Sequence, residues 1–159
     1  MQPTTPPTKT LRLGDALALG GALLVFIFSF APFITIHVPM LRGVDLDDWH
    51  NAWATETFMA PLTWFVMLAA LLLSIGVGLR YLGVRDPQPL GFRFAQLELG
   101  LGLFMLVVLF GMVTSEKHVL LGAAVRTLGE GGATVDTGWG AVLMLVSSLA
   151  AVVGAVLTI

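Results

Sequence analysis

The chain has 159 residues, of which 57% are hydrophobic and only 11% charged, and its mean hydropathy is +0.91. Those values exclude an ordinary water-soluble domain and make the lipid bilayer the first expected partner. A net charge of −2 argues against nucleic acid, and the lack of cysteine removes disulfides, thiolate metal sites and thiol nucleophiles.

The opening stretch "MQPTTPPTKT" carries three prolines and four threonines without apolar periodicity. It reads as a disordered tail, residues 1–13, ahead of a transmembrane domain over residues 14–159. Four apolar runs follow, over about residues 16–34, 61–79, 94–114 and 139–159. Each is about 20 residues, enough at about 1.5 Å per residue to span a hydrocarbon core of about 30 Å. Lipid offers no partner for backbone amides, so each run is expected to be a helix. The first run is too long for a signal-peptide core, and Pro32 sits badly for cleavage after "SFA". It is read as a retained span that Pro32 kinks or ends.

Basic residues set the expected orientation. Lys9, Arg12, Arg80, Arg85 and Arg93 fall on one side of the runs, and Arg42, Lys117 and Arg126 on the other. The first side is assigned to the cytoplasm, together with both termini, and the membrane is the cell's inner (plasma) membrane. The expected fold class is all-α: a polytopic, antiparallel four-transmembrane-helix bundle, with short interfacial helices in its two outer loops.

Small residues supply helix contact in lipid. The first run places Gly14, Ala18 and Ala22 at four-residue spacing, and the second places Ala70, Ser74 and Gly78. The third offers Gly102, and the fourth Ser147, Ala151 and Ala155. Such stripes serve either contact within one bundle or a subunit interface with another copy or another membrane protein.

The first outer loop holds "DLDDWHNAW", Asp45 to Trp53. Read as a helix, it aligns Leu46, Trp49 and Trp53 on one face, with Asp45 as N-cap. Trp49, Trp53, Trp64 and Trp139 are then expected as interfacial anchors at headgroup level. A sharper reading is a metal site. His37, His50 and His118 all fall on the outer side, and Asp47 and His50 share a face if the stretch is helical. None of these residues has the spacing of a metal motif, so no metal or cofactor is expected. In the second outer loop, Leu121, Val125 and Leu128 fit one face of another surface helix, which "GEGG" ends without forming a P-loop.

Glu98 is the intramembrane acid, about one turn inside the third run. A carboxylate at that depth is a functional hypothesis by default, as a proton or cation carrier. The competing account pairs it with Arg93, Arg80 or Arg12 at the cytoplasmic edge. Asp15 is read as a first-turn acid beside Arg12. Ser147 and Ser148 have no histidine or acid near them in sequence and are packing residues.

The blocks "LGDALALGGALLVFIFSFAPF", "APLTWFVMLAALLLSIGVGLR", "GFRFAQLELGLGLFMLVVLFGM" and "GWGAVLMLVSSLAAVVGAVL" together resemble small uncharacterised integral membrane proteins of actinobacteria. The resemblance covers nearly the whole chain after Thr10. It implies four spans and a proline-rich cytoplasmic tail, and no activity. With no catalytic set in view, the expected function is non-enzymatic. The protein would act by contact as an accessory, assembly or scaffold subunit, the alternative being a small oligomeric transporter or channel subunit using Glu98.

Overall fold

A computed structural model describes residues 12–39, 45–55, 60–82, 93–115 and 134–159. The order of elements is α1 (Leu13–Phe28), β1 (Ile34–Pro39), β2 (Asp45–His50), α2 (Ala60–Tyr81), α3 (Phe94–Thr114), β3 (Thr134–Thr137) and α4 (Trp139–Thr158). Of the four helices among the described residues, α2, α3 and α4 are long and apolar enough to cross a membrane. The tail over residues 1–11, the surface helix expected around Leu121 to Leu128, and His118 lie outside the described residues.

The first apolar run gives a 16-residue helix rather than a span reaching Ile34. At about 1.5 Å per residue it is about 24 Å long. The helix yields at Ser29, whose hydroxyl donates to the Phe26 carbonyl at 2.6 Å. Pro32 then disfavours helical geometry at Ala31 and brings no backbone N–H of its own. By Ile34 the chain is already in β1.

The expected surface helix at "DLDDWH" is instead a strand. β1 forms the centre of a three-stranded antiparallel sheet in the order β2–β1–β3. Its sequence, "ITIHVP", is rich in β-branched residues and presents two edges. Pairing with that template overrides the helical spacing of Leu46, Trp49 and Trp53. Ile34 is buried, and Ile36 and Val135 pack against the same core. The all-α expectation thus gives way to a mostly helical fold carrying a small sheet.

Four helix pairs make the main contacts: α1 with α4, α3 with α4, α2 with α3, and α1 with α2. The α1–α4 pair is the tightest, because its facing residues are nearly all backbone. A Cβ placed on Gly154 would fall 2.2 Å from the Ala18 nitrogen, and one on Gly21 would fall 2.5 Å from the Ala151 nitrogen. Gly14 meets Thr158 at one end of this seam, and Gly140 meets Ala31 and Pro32 at the other, so the two helices run antiparallel.

Small side chains and methionines fill the interior, including Ala18, Ala22, Ala70, Ala151, Met67, Met105 and Met144. Large apolar side chains point outward, among them Phe65, Ile75, Val107, Phe110 and Val146, each more than half exposed. Water would penalise that arrangement, whereas hydrocarbon does not, since lipid tails are as apolar as the side chains they meet.

The sheet docks on one end of the helices through backbone bonds. Phe33 N–H donates to the His50 carbonyl (2.8 Å), Gly138 N–H to the Phe33 carbonyl (2.9 Å), and Gly140 N–H to the Pro32 carbonyl (2.9 Å). Ser29 is the node. Its carbonyl accepts from Ala52 N–H at 3.1 Å, and its hydroxyl oxygen accepts from Trp53 Nε1–H at 2.9 Å. Trp53 also stacks on Phe30 and meets Phe26 edge-on. Thr63 of α2 donates to the Ala52 carbonyl at 2.7 Å, so one short turn joins α1, β2 and α2.

Candidate functional site: a three-helix charge network and an arginine-lined pocket

The end of the molecule opposite the sheet gathers the start of α1, the end of α2, the start of α3 and the end of α4. Three of these helices contribute a charged group there for a local reason. Asp15 lies in the first turn of α1, where an acid suits the positive end of the helix dipole. Arg80 lies in the last turn of α2, where a cation suits the negative end. Arg93 is the N-cap of α3, and its N–H donates to Gln96 Oε1 at 3.0 Å, closing the first turn.

Arg80 joins three helices. Its Nη1 donates to Asp15 Oδ1 at 2.7 Å, and its Nη2 lies 2.6 Å from Glu98 Oε1. The second contact is a close ion pair whose N–H is not aligned for a hydrogen bond. Glu98 is 2% exposed, one turn inside α3, and its carboxylate faces Gly76 of α2, where an added Cβ would sit 3.8 Å from Oε1. Gly76 and Arg80 are one helical turn apart, so a single face of α2 receives the acid. Of the three arginines that the sequence offers as partners for Glu98, the structure selects Arg80. Arg80 also takes Asp15, which the sequence had assigned to Arg12.

A pocket of about 290 Å³ opens beside this network, lined by Arg12, Arg80, Arg93, Ala95, Gln96, Thr158 and Ile159. Arg12 is the N-cap of α1, and neither it nor Arg93 is in an ion pair among the described residues. The sequence identified these arginines as topology signals, and their convergence is visible only once the helices are packed.

His37 and His50 do not converge. His37 is the register partner of Asp47, whereas His50 is the partner of Ile34. His37 and Ile34 are three positions apart on β1, which puts His37 and His50 on opposite faces of the sheet. The stretch expected to align Asp47 and His50 on one helical face is a strand. Each histidine instead neighbours one carboxylate, His37 at 3.8 Å from Asp136 and His50 at 3.7 Å from Asp48. Among the described residues, no group of three or more metal-ligating side chains comes together.

The tryptophans gather at the sheet end. Trp49, Trp64 and Trp139 are about half exposed, while Trp53 is turned inward onto Ser29. The small residues of the first, third and fourth runs lie between helices. Gly14, Ala18 and Ala22 face Ser147, Ala151 and Ala155 across the α1–α4 seam, and Gly102 meets Val152. Ala70 is buried, Ser74 donates back to the Ala70 carbonyl, and Gly78 has no atom within 4 Å of its Cβ position. Sequence spacing did not single out Gly21, nor place Gly154 at the point of closest approach. Both fall on the seam once α1 and α4 are set antiparallel.

Compared with protein-family models, curated proteins and solved structures, the chain matches none of them.

Proposed function

We propose that the protein is a four-span integral protein of the inner membrane, both termini cytoplasmic, that acts by contact as an accessory, assembly or scaffold subunit. In this reading α1, shorter than the other three helices, crosses the membrane together with the Ser29–Pro32 turn. The grouping of Arg12, Arg80 and Arg93 at one end supports a cytoplasmic assignment for that end. The exposed tryptophans at the other end support an outer headgroup belt.

The observation that carries the reading is the closure of Asp15, Arg80 and Glu98 on one another. An intramembrane acid working as a carrier has to exchange its partner with water or substrate. Here Glu98 is tied to Arg80, and that tie locks α1, α2 and α3 into one rigid unit. The outer sheet supplies a surface for a partner, because β2 and β3 each present an edge that no described strand covers. The burial of Glu98 to 2% favours the alternative, a small oligomeric transporter or channel subunit that uses this acid.

Two measurements separate these readings. Pull-down of the full chain from gently solubilised membranes should recover a stable membrane-protein partner or a homo-oligomer. A clean monomer without a companion would refute the contact reading. In liposomes, Glu98→Gln should leave proton and ion flux at the level of the wild type, whereas abolished flux would establish the transporter.

A further inference from the structure

We propose that the pocket between Arg12, Arg80 and Arg93 binds a phosphodiester monoanion, from an anionic phospholipid headgroup or from a soluble phosphate compound. Among the described residues, three guanidinium groups border the pocket and no acidic side chain lines it. The nearby carboxylates, Asp15 and Glu98, are both held by Arg80. That leaves the guanidinium groups of Arg12 and Arg93 at the pocket without a carboxylate side-chain partner among the described residues. A phosphodiester carries a negative charge that those two groups can share.

The chemistry of the lining points the same way. Arginine presents a planar fork of donors that matches phosphate oxygens two at a time. Gln96 already uses its Oε1 as an acceptor for the Arg93 N–H, so its amide NH2 is the polar group left to it, and that group donates. The N-termini of α1 and α3 open on the pocket, but the C-termini of α2 and α4 reach the same end. The dipoles therefore oppose one another, and the guanidinium charge decides the sign of the site. A volume of about 290 Å³ leaves room for a phosphate group. The lipid source rests on the membrane-spanning reading above, because it requires this end to lie at headgroup depth.

The test is native mass spectrometry of the full chain in a non-ionic detergent. Phosphatidylglycerol, phosphatidylcholine and inorganic phosphate are the probes. One phosphatidylglycerol should be retained per chain in preference to phosphatidylcholine, and Arg12→Gln and Arg93→Gln should each weaken retention about tenfold. Arg80 is left intact because it holds the charge network. Displacement of the lipid by inorganic phosphate would assign the site to a soluble compound, and failure of phosphate to compete would assign it to the headgroup. Either result supports the site. Equal retention of the two lipids, or equal retention by wild type and Arg12→Gln/Arg93→Gln, would overturn the proposal.

A second measurement needs no variant. Phosphatidylglycerol or inorganic phosphate should protect Arg12 and Arg93 of the wild-type chain from phenylglyoxal, read by peptide mass. Unchanged modification with both would also overturn it. The same native spectra report oligomeric state, so a monomer that keeps its lipid refutes the contact reading alone.

Discussion

Gly154→Ala should destabilise the protein although alanine is the better helix former. The added Cβ would lie 2.2 Å from the Ala18 nitrogen, 2.7 Å from the Gly14 carbonyl oxygen and 2.8 Å from the Ala18 Cα. Ordinary contact begins near 3.4 Å, so α1 has to retreat by about 1.2 Å at the closest point. All three obstacles are backbone, and none can swing aside as a side-chain tip would. A gap of about 1 Å forfeits up to half of the dispersion well for the atoms on either side, here Ala18, Ala22 and Ala151. Overpacking of this kind costs about 2–3 kcal/mol, against a gain of about 1 kcal/mol from replacing a helical glycine. The expected net loss is about 1–2 kcal/mol. Gly78→Ala is the internal control, because nothing lies within 4 Å of its Cβ position and only the helix gain of about 0.5–1 kcal/mol remains. Reversible unfolding of both variants in mixed micelles, followed by circular dichroism, reads the difference directly. Gly154→Ala equal to or more stable than Gly78→Ala would refute the close α1–α4 approach.

The charge network makes a separate prediction. Arg80→Met leaves Glu98 buried without its guanidinium and should cost about 3–5 kcal/mol, while Arg80→Met/Glu98→Met should recover most of that loss in the same unfolding assay. Equal instability of the single and double variants would show that the loss does not come from the stranded Glu98 charge. Trp53→Phe keeps the ring contacts with Phe26 and Phe30 but loses the Nε1–H donated to Ser29, for about 1 kcal/mol of stability. A loss above about 3 kcal/mol would mean that the ring, not the hydrogen bond, holds the turn. Asp136→Asn removes one partner of an exposed histidine pair and should change stability by less than about 0.5 kcal/mol. A larger shift in the unfolding midpoint would point to a more important role for the sheet face bearing His37.

Hydropathy marked the helical segments closely, because run length and apolarity are local properties read directly from residue order. The third run, residues 94–114, coincides with α3, the second differs from α2 by one residue at its start and two at its end, and the fourth differs from α4 by one residue at its end. The first run misled at its outer end. Phe30, Ile34 and their neighbours are as apolar as a span, but Ser29 and Pro32 turn the chain there, and the tail of the run serves as sheet core. The strand at "DLDDWH" was hidden for a different reason. Its tryptophan spacing fits a helix, and only the neighbouring β1 edge makes the extended form better.

The sequence by itself determined the apolarity and number of the helical segments, the place of Glu98 one turn inside the third and the stock of small residues for close packing, all of which follow from composition and spacing. Tertiary structure decided the pairings. It gave Arg80 both acids, brought Arg12 and Arg93 to the same pocket, set Gly21 and Gly154 where two backbones touch, and put His37 and His50 on opposite faces of a sheet. The physical reason is that ion pairing, close backbone approach and convergence on a pocket depend on distances between residues far apart in the chain. Those distances exist only once the helices have packed.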